Sequence, residues 1–358
     1  MNFYSFNMSN ELKIIKAEKS KINDIDFNNF SFGSVFTDHM FECDFTDGEW
    51  KNPTIKPYQP ISIEPSASVL HYGQAIFEGM KAYKDSKNEV WLFRPDQNFE
   101  RINKSAVRMA IPEFPEKLFY EALTKLVDID RNWIKSGEGR SLYIRPFVIG
   151  NEYAIQAVPS KNYKFMIICA PATLYYTKKL KVLVADKFSR AASGGVGFAK
   201  AAGNYAGQFY PTKLANDEGF DQVIWTDANE HNYLEEAGTM NIFFRINDKL
   251  ITAPTTDTIL DGVTRKSLIQ IARDKGIDVE IRKLKVDELK DAAKKGTLKE
   301  IFGAGTAAVV SEINAFQHKG DLFKLDEVND SYAEKLKSNL VGIQTNQLED
   351  HHNWRFKV

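Results

Sequence analysis

Strand-like and helix-like segments alternate along this chain, and that alternation restricts the fold more than any other feature. Residues 90–94 read VWLFR, a short run of branched and aromatic residues that predicts a strand. Apolar residues then recur at spacings of three and four over residues 99–109, which predicts one face of a helix with Asp96 as its cap. A second helix is predicted after Pro115. Strands and helices mixed in both halves indicate an α/β or α+β architecture.

A change of composition near residues 171–179 marks a predicted domain boundary. Thr, Tyr and Lys replace the apolar run there, and a new strand begins at Leu180. We therefore expect two domains, consistent with roughly 150 residues per domain. The predicted divisions are a domain at 1–175, an interdomain loop at 176–187 and a second domain at 188–358. The other predicted strands are 142–149, 164–170, 222–226, 240–246 and 249–253.

The composition excludes several classes of protein. The formal net charge of −1 lacks the basic excess of most nucleic-acid binders. Two cysteines and six histidines form no recognisable ligand spacing, so we expect no metal site. No apolar run approaches the ~20 residues of a membrane span, and residues 1–10 lack the charged and apolar regions of a signal peptide. We expect a cytoplasmic protein.

Residues 193–205, SGGVGFAKAAGNY, place one lysine among small residues. The G-x-G-x-x-G spacing is absent because Lys200 follows Gly195 and Gly197, and no Gly-Lys-Ser/Thr occurs, so neither nucleotide fingerprint applies. A lysine in such surroundings can acquire a lowered pKa and form a Schiff base with a flat ligand. The alternative interpretation is a solvated lysine beside a loop.

Three further patterns suggest chemistry. Glu236 precedes a Gly turn at a strand end, where an acid can pair with a buried cation or simply occupy a surface turn. The segments GVT at 262–264 and GAGT at 303–306 resemble phosphate-binding helix starts, or ordinary turns. Tyr143 and Arg145 alternate on one strand face, where they can bind a carboxylate or form a structural ion pair.

Together these segments resemble the branched-chain aminotransferase family, in the fold-type IV group of pyridoxal-phosphate enzymes. The resemblance runs in one order through most of the chain. Its blocks are FG (32–33), FTDHM (36–40), HYG (71–73), FEGMK (77–81), LFRP (92–95), YIRP (143–146), GNE (150–152), Lys200, GNY (203–205), EAGTMN (236–241), GVTR (262–265) and GAGTA (303–307).

The resemblance implies pyridoxal 5′-phosphate as cofactor and assigns residues to each part of it. Lys200 would bind the aldehyde as a Schiff base, Glu236 would hold the ring nitrogen, and Tyr205 would bind the phenolic oxygen. The positions that match phosphate ligands are Arg94, the backbone N–H groups of Val263 and Thr264, and Thr306.

The resemblance also implies a substrate site. The positions that match residues around the substrate carboxylates, some of them reaching across a dimer interface, are Tyr72, Tyr143, Arg145, Thr239 and Ala307. The positions that match the walls of the side-chain pocket are Phe32, Phe77 and Tyr175.

The family fold implies a smaller N-terminal α/β domain and a larger C-terminal pseudo-barrel domain that binds the cofactor. The implied activity is reversible transfer of the amino group of leucine, isoleucine or valine to 2-oxoglutarate, in a homodimer with active sites near the interface. The alternatives within the group are a D-amino acid aminotransferase and an aminodeoxychorismate lyase; outside it, the alternative is a non-catalytic ligand-binding protein.

Two departures from the family pattern are visible. Residues 308–311 read AVVS where some members carry Cys-x-x-Cys, so a thiol switch at that place is excluded. Ala202 stands where the family often has glycine.

Overall fold

The computed structural model describes residues 11–358; the segment 1–10, in which we expect no signal peptide, lies outside the described residues. The described chain forms two compact units. The first comprises residues 11–173 together with 350–358, and the second comprises 174–349. The C-terminal segment thus belongs to the first unit, whereas the sequence analysis assigns it to the second domain.

The first unit is built on a nine-stranded sheet. Its strands are β1 (Lys13–Ile14), β2 (His39–Thr46), β3 (Glu49–Pro57), β4 (Ala75–Phe77), β5 (Met80–Lys84), β6 (Val90–Phe93), β7 (Ser141–Gly150), β8 (Tyr163–Ala172) and a C-terminal strand (Arg355–Lys357). They run in the order β1-β3-β2-β8-β7-β5-β6 and then the C-terminal strand, with β4 pairing with β7. Its helices are α1 (Ser68–Tyr72), α2 (Pro95–Arg108) and α3 (Glu116–Ile129), with short 3₁₀ turns at Ile22–Asp24 and Arg131–Trp133.

The helices α2 and α3 contribute their apolar faces to the core of the first unit. Ile102, Phe119 and Leu126 are buried there with strand residues, and the rings of Phe114 and Phe165 stack at 3.9 Å. The apolar period of the sequence therefore predicts both helices correctly. The prediction of Asp96 as a cap is wrong, because α2 already begins at Pro95, whose fixed φ suits the first helical position.

The second unit contains the remaining strands and helices. Its strands are β9 (Leu180–Val184), β10 (Gln222–Thr226), β11 (Tyr233–Ala237), β12 (Asn241–Ile246), β13 (Lys249–Thr252), β14 (Asp278–Ile281), β15 (Leu284–Lys285), β16 (Leu298–Gly305), β17 (Val309–His318) and β18 (Asp321–Lys324). Its helices are α4 (Gly203–Ala206), α5 (Phe209–Asp217), α6 (Val263–Asp274), α7 (Val286–Lys294) and α8 (Tyr332–Gln344).

Six strands of the second unit form a closed ring. The order β12-β16-β17-β9-β10-β11 returns to its start because β11 also pairs with β12, with Glu236 opposite Asn241. The prediction of a mixed α/β fold with a C-terminal pseudo-barrel is confirmed. The segment 176–187, predicted as an interdomain loop, includes β9, which pairs with β10 and β17 inside this ring.

The ring brings two turns of the second unit together. Asn241 at the start of β12 pairs with Ala304 near the end of β16, so the turns next to these positions meet at one edge. A Cβ on Gly305 would lie 2.8 Å from the backbone oxygen of Thr239, which shows how closely the two turns approach.

Two kinds of feature are absent from residues 11–358. No helix there has the length and apolar character needed to cross a membrane. The same residues contain no group of three or more His, Cys, Asp or Glu side chains arranged to hold a metal ion.

Candidate active site

Lys200 lies in the irregular segment between β9 and α4 and contacts Tyr205. Its Nζ donates a hydrogen bond to the Tyr205 hydroxyl at 2.9 Å. The segment is anchored by the buried Asn204, whose amide donates to the backbone oxygens of Val196 and Ala199 at 2.8 and 2.9 Å. An amine and a phenol are therefore presented together by a segment fixed from the following helix.

A second loop holds the same segment from the other side. The Phe198 N–H donates to the backbone oxygen of Asp257 at 2.9 Å. Gly197 has no room for a side chain, since a Cβ there would lie 2.8 Å from the backbone of Thr258. The small residues around Lys200 thus serve close packing between two loops.

Glu236 lies on β11 with its carboxylate almost completely buried. Oε1 forms a 2.9 Å ion pair with Arg190 and accepts the Leu260 N–H at 3.1 Å. Oε2 accepts from the Asn241 amide at 3.0 Å. Arg190 also donates to the backbone oxygens of Gly197 and Thr258, so one guanidinium connects the acid to the Lys200 segment.

Burial raises the pKa of the Glu236 carboxyl, because desolvation disfavours the charged form. Arg190, the Leu260 N–H and the charge of Lys200 act in the opposite direction. A cationic group bound beside this carboxylate would also lower the pKa of Glu236 and so favour its ionised form.

The N-terminus of α6 lies close to this acid. Gly262 is the N-cap of α6 and no side chain hydrogen-bonds there as a cap. The first N–H groups of a helix have no partner within the helix and carry partial positive charge. Val263 and Thr264, both buried, therefore present donors of the kind that bind a phosphate.

Three of the four remaining predicted residues of the second unit lie in the two adjoining turns, and the fourth, Tyr175, precedes β9. Thr239 precedes β12, and Thr306 and Ala307 follow β16. Tyr175 packs edge-on against Tyr176 with ring centroids 4.7 Å apart. The Tyr176 hydroxyl accepts from the Gln222 amide at 3.1 Å.

The first unit brings together four predicted substrate residues. Arg145 donates to the Tyr143 hydroxyl at 2.9 Å, and its Cζ lies 4.6 Å from the centroid of the Phe77 ring. Phe32 packs edge-on against Tyr143 at 5.0 Å. A guanidinium and a phenol beside aromatic rings suit a ligand with a carboxylate and an apolar part.

Two other predicted residues of the first unit lie at helix ends. Arg94 is the N-cap of α2, in the left-handed region at φ 50°, and its guanidinium carbon lies 4.9 Å from the centroid of the Trp354 ring. Tyr72 is the last residue of α1 and is 44% exposed.

Sequence reasoning missed several residues of these clusters. It did not single out Arg190 or the role of Asn241, both of which contact Glu236. It also missed Gly79, where a Cβ would lie 2.1 Å from the Tyr143 hydroxyl, and Lys81, which pairs in register with Tyr143 and whose pKa burial lowers to about 8. The FEGMK and EAGTMN blocks contain Gly79, Lys81 and Asn241, whereas no block contains Arg190.

The donor set of the second unit fits pyridoxal phosphate. It combines an amine on Lys200, a phenol on Tyr205, a buried carboxylate on Glu236 and a helix start without a side-chain cap. These match, in turn, an aldehyde, a phenolic oxygen, a protonated ring nitrogen and a phosphate. The fit rests on the chemistry of these groups and on the buried ion pair with Arg190.

Comparison with protein families gives a match over residues 75–316 to the family described as amino-transferase class IV. The chain is 45% identical to a probable branched-chain-amino-acid aminotransferase of Staphylococcus epidermidis, over 98% of this chain and 99% of that protein. It is 43% identical to branched-chain-amino-acid transaminase 1 of Bacillus subtilis, over 97% of this chain and 99% of that protein.

A solved structure shares the fold. The branched-chain amino acid aminotransferase of Thermobaculum terrenum, in its PLP form, superposes with a TM-score of 0.72 and 20% identity, over 88% of this chain and 97% of that chain. The match covers both units of the present chain.

Proposed function

The chain belongs to the class IV aminotransferases and, within them, to the branched-chain aminotransferase family, and we propose that it moves the amino group of leucine, isoleucine or valine to 2-oxoglutarate. The observation that supports this most directly is the Lys200–Tyr205 contact in the same unit as the buried Arg190–Glu236 pair. The substrate class is supported by relatives that are named branched-chain-amino-acid aminotransferase or transaminase and are 45% and 43% identical over nearly the whole chain.

We propose that the second unit is the cofactor-binding domain and that pyridoxal 5′-phosphate is the cofactor. When bound, this cofactor withdraws electrons from the substrate's α-carbon. The residues that would hold it are Lys200, Tyr205, Glu236, Val263, Thr264, Thr306 and Arg94. Glu236, paired with Arg190 at 2.9 Å, would keep a ring nitrogen protonated.

Lys200 would also move the proton. Its Nζ is the base that would take the proton from the substrate Cα and deliver it again. The Tyr205 hydroxyl, at 2.9 Å from Nζ, accepts a hydrogen bond that orients the amine. The residues on either side of Lys200, Ala199 and Ala201, are each 1% exposed.

Substrate recognition would divide between polar and aromatic groups. Arg145 and Tyr143, already hydrogen-bonded to each other, would bind a carboxylate. The other residues that we assign to the carboxylates and to the side-chain pocket are Tyr72, Thr239, Ala307, Phe32, Phe77 and Tyr175. A pocket with aromatic walls and a cationic edge can accept an aliphatic side chain in one half-reaction and a second carboxylate in the other.

We further propose that the chain acts as a homodimer in the cytoplasm. Leu70, Tyr72, Tyr153 and Ile155 are 57%, 44%, 58% and 69% exposed, and a bridge between Ala67 and Tyr153 joins their two segments. Large apolar side chains exposed together mark an association surface, and a second copy of the chain is the partner that we propose for it.

Ile155→Asp should shift the molecular mass in light scattering from dimer to monomer, while Val107→Asp, on the exposed side of α2, should leave it unchanged.

The central experiment uses the lysine. Purified protein should absorb visible light, and borohydride should fix the cofactor on Lys200, found by peptide mass mapping. Lys200→Ala should abolish turnover of leucine with 2-oxoglutarate. Wild-type turnover by that variant would contradict the proposal, and D-alanine as the best donor in a panel with leucine, isoleucine and valine would favour a D-amino acid aminotransferase.

A further inference from the structure

The buried side chain of Asn241 touches both ends of the proposed cofactor site. Asn241 is 5% exposed at the first position of β12. Its amide nitrogen donates to Glu236 Oε2 at 3.0 Å and to the backbone oxygen of Leu260 at 2.9 Å. Both donor hydrogens of the amide are therefore used, one on the acid and one on the chain that leads to α6.

The amide oxygen of Asn241 points towards the start of α6. A Cβ built on Gly262 would lie 2.0 Å from Asn241 Oδ1, closer than any real contact. Gly262 has φ −67°, which every residue adopts, so the reason for glycine here is space and not backbone freedom. The side chain of Asn241 thus fills the volume that any other residue at 262 would need.

Leu260 receives contacts from the same two residues. Its N–H donates to Glu236 Oε1 at 3.1 Å while its oxygen accepts from Asn241. Glu236, Asn241 and the 260–262 segment form a small closed arrangement, and the next residue, Val263, is the first of α6.

We propose that Asn241 is a positioning residue that sets the distance between the carboxylate for the cofactor ring and the helix start for the cofactor phosphate. This inference rests on the proposed function. A rigid cofactor bridges two sites well only if their separation matches it, because a misplaced group loses much of its binding energy. The Asn241 amide supplies both donors of this arrangement within the volume left by Gly262.

The test measures dissociation constants for pyridoxal phosphate and for pyridoxal, which lacks the phosphate, by quenching of protein fluorescence. Asn241→Ala should weaken pyridoxal phosphate by about tenfold or more, the size expected for losing a hydrogen bond to a charged group. It should weaken the binding of pyridoxal less, so that the two dissociation constants become more alike. Asn339→Ala, which removes an exposed amide bonded to a backbone oxygen on α8, is the matched control and should change neither constant.

A second pair of variants tests the contact with Gly262. Gly262→Ala should displace the Asn241 amide and weaken pyridoxal phosphate by a similar factor. Asn241→Ala removes the atom that meets the new Cβ, so the double variant should bind as well as the poorer single variant. Independent effects, in which the two factors multiply, would overturn the inference.

Folding and the parent proposal are separated by two further measurements. Far-UV circular dichroism and thermal unfolding of each apoprotein show whether the fold is kept. If Asn241→Ala does not fold, Asn241→Asp keeps the volume and loses the donors, and it too should weaken the binding of pyridoxal phosphate more than the binding of pyridoxal. If the wild-type protein binds no pyridoxal phosphate, the proposed function is contradicted. If the wild-type protein binds it and Asn241→Ala has the same ratio of dissociation constants for pyridoxal and pyridoxal phosphate, only the role of Asn241 is contradicted.

Discussion

At the scale of the residue, the buried pair of Arg190 and Glu236 decides the electrostatics of the site. Each side chain is 3% exposed and the two lie 2.9 Å apart. Removing one partner of a buried ion pair leaves an uncompensated charge, which costs far more than the pair contributes. Arg190 therefore keeps Glu236 able to carry a charge.

We expect Arg190→Met to destabilise the fold by about 3–5 kcal/mol at neutral pH. Without the guanidinium, the pKa of Glu236 rises further above its ordinary value. Below this raised pKa the carboxyl is neutral, and burying it without Arg190 costs less. The loss in the free energy of unfolding should therefore be smaller at pH 5 than at pH 7.5. Urea unfolding at both pH values measures this. A loss that is equal at the two values would contradict it, and adding Glu236→Gln should recover part of the stability.

Gly79 controls the position of the Tyr143 hydroxyl. A Cβ at Gly79 would lie 2.1 Å from that oxygen, so Gly79→Ala must move the phenol away from Arg145. We expect the KM for leucine and for 2-oxoglutarate to rise about tenfold, the equivalent of one hydrogen bond to a charged group. Gly207→Ala is the control, since its nearest atom is 3.8 Å away. An unchanged KM in Gly79→Ala would show that Tyr143 does not bind substrate.

At the scale of the element, a buried network fixes the turn between β4 and β5 against α2. Glu78 is completely buried in that turn and accepts from Asn98 and Arg101 on α2 at 2.7–2.8 Å. Phe77 and Gly79, on either side of Glu78, contact Arg145 and Tyr143 respectively. The helix thereby positions the strand face that would bind substrate.

Glu78→Gln keeps the shape of the side chain but removes its charge. Arg101 would then be buried without its counter-charge, and we expect a loss of about 3–5 kcal/mol in the free energy of unfolding. Glu100 is exposed on α2, the helix that carries Arg101, and Glu100→Gln should change the free energy of unfolding by less than about 0.5 kcal/mol. Chemical denaturation of both variants measures the free energy of unfolding. Equal losses in Glu78→Gln and Glu100→Gln would show that the buried pair of Glu78 and Arg101 does not stabilise the fold more than an exposed glutamate does.

At the scale of the whole molecule, stability should depend on pH through His318. This residue ends β17, is 5% exposed, and neither of its ring nitrogens has a hydrogen-bond partner among residues 11–358. Burial first, and then the charges of Lys290 and Lys319, lower its pKa from the ordinary 6.5. The unfolded chain therefore takes up the proton first as the pH falls.

The folded state should lose stability as the pH falls from about 6.5 through the lowered pKa of His318. His318→Leu should flatten the dependence of Tm on pH between 6.5 and 5, as measured by calorimetry. His351→Leu, at an exposed site, should keep the wild-type slope. The same slope in both variants would assign the acid sensitivity to other groups.

Much of the fold and part of the candidate site follow from local sequence. The helix faces of α2 and α3 and the strands β6–β10, β12 and β13 were predicted within a few residues, because apolar periodicity is a local property. The strands β1–β5 were not predicted as strands. The family blocks indicated Lys200 and Tyr205, five positions apart, and the structure joins them by one hydrogen bond. The place of the C-terminal strand was not predicted, since it depends on pairing with β6, which is distant in the sequence.

The sequence by itself determined the family and the alternation of strands and helices, and it singled out Lys200 as the lysine that we propose to be reactive. Only the tertiary structure decided which charges are buried together: Arg190 with Glu236, and Glu78 with Arg101. It also decided why Gly79 and Gly262 are glycines, through the side chains of Tyr143 and Asn241 that occupy the space beside them. The physical reason is that periodicity and turn preference act between near neighbours, whereas desolvation and close packing depend on what the folded chain brings alongside.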